Sequence, residues 1–122
     1  MTGRSRTVVV EQLPEISNMK QGRVFLREIT GCMSSSRPQI VLDCSHVRQV
    51  NRSLIHMLLC CLEEALKRNG DVALAALPAA AKAGLQRAGV DRVFEIYDTT
   101  NDAVNSSRQQ TRELQRDVWN AA

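Results

Sequence analysis

Four short apolar runs alternate with longer segments of helical periodicity along the chain. The runs span residues 7–13, 40–44, 71–77 and 93–97, and the first contains the β-branched residues Val8, Val9 and Val10. Parallel strands need a crossover of about a dozen residues or more, and the intervening segments can supply it. The alternation therefore predicts an α/β fold, a four-stranded, mostly parallel sheet with helices packed against it.

The helical segments predict the layers that cover this sheet. The first follows a cap at Ser17 or Asn18, and the others span residues 54–66, 79–88 and about 101–119. The first helix is predicted to bury Phe25, Ile29, Cys32 and Met33. The second carries the clearest apolar stripe, which comprises Leu54, Leu58, Cys61, Leu62 and Ala65 and is widened by Ile55, Leu59 and Leu66. Gly70 is expected to end this second helix in the left-handed conformation.

Length and composition bound the functional classes. A chain of 122 residues suits a single domain over 1–122, with a core over 7–104 and a weakly apolar helix or tail over 105–122. The net charge of +3 is small and the four aromatic residues do not alternate with basic ones, so no nucleic-acid partner is expected. The basic N-terminus lacks the apolar segment of a signal peptide, and no stretch is long enough to cross a bilayer. We therefore expect a soluble, cytoplasmic protein without membrane insertion.

Four cysteines occur, at Cys32, Cys44, Cys60 and Cys61, and no pair has the C-x-x-C spacing of a zinc or redox site. Each is expected to be buried as a small apolar residue. His56 and Cys60, at i and i+4, could supply half of a metal site, but the sequence has no second pair at matching spacing. We predict neither a metal nor any other cofactor.

Ser53 follows the second predicted strand and begins the most apolar helix. A hydroxyl in the first turn of a helix lies near unpaired backbone N–H groups and the positive end of the helix dipole, where a phosphate is well accommodated. The alternative is a serine that caps the helix by satisfying those donors. Asp43 and Ser45, at the end of the strand, are expected either to form the turn or to support the loop that carries Ser53.

Residues 39–104 resemble the STAS domain, the fold of bacterial anti-sigma-factor antagonists. The run DCSHV at 43–47 is similar to the family's D-L-S-G-V-like stretch, and NRSLIH at 51–56 is similar to its D-S-S-G-L-G-like turn. The run AGVDRVFEIYD at 88–98 is similar to a later T-G-L-D-R-L-F-x-I-Y-D stretch. The resemblance implies a binding module without catalytic residues.

In that family the second serine of the turn is phosphorylated by a partner that is both a serine kinase and an anti-sigma factor. The unmodified form binds this partner and frees a sigma factor, and a separate phosphatase restores the complex. The resemblance implies that Ser53 is the phosphoacceptor and that Asn51, Arg52, Leu54 and His56 contact the partner. These four residues replace the family's aspartate, first serine and two glycines, respectively.

Two other functions fit the sequence. The altered turn suits a STAS-like scaffold that does not switch, or an accessory subunit of a signalling or membrane transport complex. The cysteines and the helix N-terminus beside Ser53 suit a small-molecule, nucleotide or thiol-dependent enzyme, although the chain has no glycine-rich G-x-x-x-x-G-K loop.

Overall fold

A computed structural model of the chain describes residues 8–33 and 37–106. Four strands form one sheet in the order β1-β2-β3-β4, and every pairing is parallel. Their bounds are Val8–Gln12 for β1, Gln39–Asp43 for β2, Asp71–Ala75 for β3 and Glu95–Tyr97 for β4. The predicted α/β class and parallel sheet are confirmed.

Helices connect successive strands, as parallel pairing requires. Their bounds are Met19–Gly31 for α1, Arg52–Lys67 for α2 and Ala79–Ala88 for α3, and a 3-10 turn at Asp91–Val93 precedes β4. Residues 100–106 form a further helical segment, α4, whose first turn is capped by Thr99 Oγ1. The part of the predicted last helix beyond residue 106, and with it most of the predicted 105–122 tail, lies outside the described residues. None of the helices in the described ranges has the length and hydrophobicity to span a bilayer.

The larger core lies between one face of the sheet and α1, α2 and α3. Ile40 and Leu42 of β2 and Val72 and Leu74 of β3 are almost completely buried against them. A smaller cluster on the opposite face contains Val41, Ala73, Ala75 and Ala103, the last from α4. Because β2 and β3 bury alternate side chains on the two faces of the sheet, both strands are continuous apolar runs in the sequence.

The end of α2 differs from the prediction. Asn69, not Gly70, adopts the left-handed conformation, with φ 62°. The Gly70 N–H donates to Ala65 O and the Asn69 N–H to Leu66 O, which is the Schellman pattern. Glycine is needed at position 70 for space, because a Cβ there would lie 2.0 Å from Pro38 O.

Burial of the cysteines and of α2 is also partly different from the prediction. Cys44 and Cys61 are buried, but Cys32 is exposed at the end of α1 and Cys60 is half-buried. The stripe predicted on α2 is buried as expected, whereas Leu59 and Leu66 are 39% and 56% exposed. Both leucines lie at the margin of the stripe.

Candidate functional site

Asn51 positions the start of α2. Its Oδ1 accepts a hydrogen bond from the Leu54 N–H at 2.8 Å, which caps the helix. Its Nδ2 donates to Ile16 O, also at 2.8 Å, in the segment between β1 and α1. Asn51 therefore joins the start of α2 to a loop 35 residues earlier in the chain. An aspartate at this position would keep the cap and lose the second bond.

Ser53 is the second residue of α2 and is half-buried. Because Asn51 supplies the capping oxygen, the alternative in which Ser53 caps the helix is not observed. The Ser53 hydroxyl makes no hydrogen bond to any residue within 8–33 or 37–106. The first N–H groups of α2 have no acceptor within the helix, and they point toward its N-terminal end, where Ser53 lies. The serine thus lies in an environment suited to a negative charge.

The residues around Ser53 separate into surface and core. Arg52 and His56 are exposed, as a contact with a partner requires. Leu54 is only 2% exposed and belongs to the main core, so almost none of its surface is available for the predicted contact with a partner. Its position one residue after Ser53 turns its side chain about 100° around the helix, toward the sheet.

The loop between β2 and α2, residues 44–51, is fixed at both ends. The Ser45 N–H donates to Asp43 Oδ1 at 3.0 Å, and the Cys44 N–H donates to Ala75 O at 2.8 Å. Val47 is buried, and its backbone N–H closes a turn by donating to Cys44 O. Asp43 and Ser45 therefore form a turn of the kind that was predicted, and that turn leads into the loop ending at Asn51.

His46 is exposed next to this turn, and its Nδ1 faces two polar groups. The Gln12 amide nitrogen, which can only donate, hydrogen bonds to Nδ1, and Ser45 Oγ lies 3.4 Å from the same nitrogen. Gln12 therefore makes the shorter contact to this nitrogen, and Ser45 Oγ lies at the longer distance.

Two open clefts share loop 44–51 as a wall. The larger, of about 750 Å³, is lined by residues 12–15, 45–48 and Pro78, at the carboxyl ends of β1, β2 and β3. The smaller, of about 480 Å³, is lined by residues 50–52, Ile55, Gly84, Arg87 and Ala88. Parallel sheets commonly bind their ligands at this edge.

Gly84 sets the width of the smaller cleft. A Cβ on Gly84 would lie 2.9 Å from Val50 Cβ, so only glycine allows α3 to approach the loop this closely. The close approach brings Arg87 to the same cleft as Arg52, and both side chains are exposed. Arg48, also exposed, lines the larger cleft with Glu15. Three arginines and one glutamate give the clefts a positive balance.

The buried cysteines cannot provide reactive thiolates at this site. Burial raises the pKa of both Cys44 and Cys61 to about 12, so both remain neutral thiols. Cys60 lies on the outer side of α2, which also carries the exposed residues His56, Leu59 and Leu66. Its Sγ is 3.6 Å from His56 Nε2.

Sequence reasoning did not identify Gln12, Glu15, Pro78 or Arg87 as parts of the site. The first three follow or end strands β1 and β3, and strand order alone would have placed them beside loop 44–51. No sequence pattern indicates that Arg87 lies next to Arg52, because this depends on the contact between Gly84 and Val50.

The STAS domain family model matches residues 12–103. The chain belongs to the STAS domain family. No curated protein sequence matches the chain. Among solved structures, the chain is similar to an anti-sigma-factor antagonist (STAS) domain protein from Planctomyces limnophilus, with a TM-score of 0.72 and 18% identity over 85% of this chain and 95% of the other.

Two further solved structures are similar in fold, one a candidate anti-sigma factor antagonist and the other a domain of a transporter. A candidate anti-sigma factor antagonist from Thermotoga maritima has a TM-score of 0.71 and 20% identity over 83% of this chain and 87% of its own. The STAS domain of a SulP transporter from Vibrio cholerae has a TM-score of 0.70 and 16% identity over 91% and 88%. At these identities the likeness establishes the fold.

Proposed function

We propose that this STAS domain is a regulatory protein-binding module of the anti-sigma-factor-antagonist type. It binds a switch-kinase-like anti-sigma factor through loop 44–51 and the start of α2, and phosphorylation of Ser53 ends the complex. A phosphatase would return the protein to its binding form. The observation that carries the proposal is the half-buried Ser53 at the N-terminus of α2, whose hydroxyl is left free of the capping role by Asn51.

The charge around Ser53 indicates the kind of partner surface. Arg52 and Arg87 line one cleft and Arg48 the other, and all three are exposed. This surface would attract an acidic surface on the partner, and the association would weaken as ionic strength rises. A phosphate on Ser53 would add a charge of about −1.5 to −2 and cancel much of the local positive charge. Phosphorylation would therefore repel the acidic partner while the helix N-terminus stabilises the phosphate within the fold.

The test is phosphorylation by the anti-sigma-factor kinase of the same organism. Incubation with that kinase and ATP, followed by mass spectrometry, is expected to find phosphate on Ser53. Ser53→Ala should lose the modification, and Ser45→Ala, which removes an exposed hydroxyl from the same loop, should retain it. Failure to form a complex together with the lack of any modification would contradict the proposal.

The second candidate is a STAS scaffold that does not switch, in a signalling or transport complex. Two observations favour it: the fold similarity to a SulP transporter domain, and the structural bond from Asn51 Nδ2 to Ile16 O, which the family's aspartate could not make. A scaffold of this kind would bind its partner equally well with and without a negative charge at position 53.

A further inference from the structure

His56 and Cys60 form a pair of metal-binding side chains on the outer side of α2. They are one helical turn apart, with His56 exposed and Cys60 half-buried. His56 Nε2 and Cys60 Sγ are 3.6 Å apart, within hydrogen-bonding distance of each other. Neither residue belongs to the core or to the described hydrogen bonds that hold loop 44–51.

The separation of these two atoms matches a tetrahedral zinc site. Zinc–sulfur and zinc–nitrogen bonds of about 2.3 and 2.05 Å, at the tetrahedral angle, place the two ligand atoms about 3.6 Å apart. A zinc ion could therefore bind both atoms without a change of backbone. Imidazole and thiolate are also the ligands that zinc prefers.

Within the part of the chain that the structure describes, one copy supplies only these two ligands at this position. No group of three or more histidine, cysteine, aspartate or glutamate side chains suitable for a metal occurs within residues 8–33 and 37–106. Structural zinc sites have four protein ligands. A second copy, related by a twofold axis, would add the same pair and complete a Cys2His2 set.

The outer side of α2 can also pack against a second helix. Leu59 lies between the two ligands in sequence and is 39% exposed, and Leu66, one heptad later, is 56% exposed. Apolar side chains seven residues apart on one side of a helix are typical of helix–helix contacts. Burying them would add to the stability of a zinc-linked pair.

We propose that two copies of this chain bind one zinc ion between their α2 helices, through His56 Nε2 and Cys60 Sγ of each copy. Each Cys60 thiol would release its proton to solvent and bind as a thiolate, so that two thiolates neutralise the charge of the ion. The histidines would bind as neutral imidazoles. The zinc site shares His56 with the predicted partner contact, but its test needs no anti-sigma factor and uses zinc, cobalt and the protein alone.

The experiment is a titration of the full-length, reduced protein with zinc chloride, followed by sedimentation velocity. The expected result is conversion of monomer to dimer, complete at one zinc per two chains. Replacing zinc with Co²⁺ should produce the thiolate-to-cobalt charge-transfer band and the visible bands of tetrahedral cobalt. His56→Ala and Cys60→Ser should each abolish both effects.

The chain offers a matched control for each ligand. Cys32→Ser and His46→Ala remove an exposed cysteine and an exposed histidine elsewhere, and both should leave zinc-dependent dimerisation unchanged. Dimerisation that needs no zinc, that persists in the His56 and Cys60 variants, or that fails to occur at all would overturn the proposal. Binding of one zinc per chain without dimerisation would overturn it too.

Discussion

The double role of Asn51 gives a sharp prediction for its replacement by aspartate. In Asn51→Asp, one side-chain oxygen can still accept from the Leu54 N–H, so the cap remains. The Nδ2 donor to Ile16 O is lost, and a carboxylate oxygen then faces that carbonyl oxygen. We expect Asn51→Asp to lower the free energy of unfolding.

The magnitude follows from two opposing effects. Leaving the Ile16 carbonyl oxygen without its hydrogen-bond donor costs about 1–3 kcal/mol, because Ile16 is a buried residue. A negative charge at the start of α2 recovers about 0.3–1 kcal/mol through the helix dipole. Taken at the middle of each range, the two effects leave a net loss of about 1.4 kcal/mol.

Asn18 provides the control, because it caps α1 in the same way. Its Oδ1 accepts from the Gln21 N–H at 2.9 Å, and its amide nitrogen donates to no residue in the described part of the chain. Asn18→Asp should therefore be neutral or stabilise the protein by up to about 1 kcal/mol. Asn51→Ser, which keeps a capping oxygen but adds no charge, should be destabilised because its shorter side chain has no amide nitrogen to donate to Ile16 O.

Urea unfolding followed by circular dichroism measures these differences. The expected result is that Asn51→Asp is less stable than the wild type and that Asn18→Asp is at least as stable as the wild type. If Asn51→Asp were as stable as the wild type, or if both variants changed by the same amount in the same direction, the assigned role of the Nδ2 bond would be refuted.

Three further changes test the backbone and charge assignments by the same urea unfolding. Gly70→Ala should destabilise the fold by about 3 kcal/mol or more, because its Cβ would overlap Pro38 O. The control Gly31→Ala, whose Cβ meets nothing within 4 Å, should raise the free energy of unfolding by about 0.5–1 kcal/mol. Ala76 has φ 61°, so Ala76→Gly should stabilise by about 1 kcal/mol; a loss would contradict the assigned conformation. Burial raises the pKa of Asp71 above its ordinary 3.8. The free energy of unfolding therefore falls as pH rises through that value and the buried carboxyl group loses its proton. Asp71→Asn should be more stable than the wild type at pH 7, with the gain vanishing below the ordinary pKa; a gain independent of pH would refute this assignment.

The fold could be predicted from the sequence because its signals are local. The strand runs at 40–44 and 71–77, the apolar stripe of α2 and the bounds of α3 each depend on a single segment. Parallel pairing followed from the length of the connections, without knowledge of any contact. The capping residue Asn18 was one of two candidates that the sequence offered.

The features that were missed depend on contacts between segments. Cys32 and Leu59 are exposed although both follow the apolar periodicity of their helices. The bond from Asn51 to Ile16 and the approach of Gly84 to Val50 join residues more than thirty positions apart. No periodicity or propensity carries such information, which is why the cleft containing Arg87 could not be predicted.

The most direct test of the proposed switch is the affinity of the anti-sigma-factor kinase for three forms of the protein, measured by isothermal titration calorimetry. Ser53→Asp adds a charge at the second position of α2, and Asn101→Asp adds the same charge at the second position of α4. We predict that Ser53→Asp weakens binding at least about tenfold, equivalent to about 1.4 kcal/mol, and that Asn101→Asp binds like the wild type. Equal affinities for all three forms would contradict a switch at Ser53 and favour the scaffold.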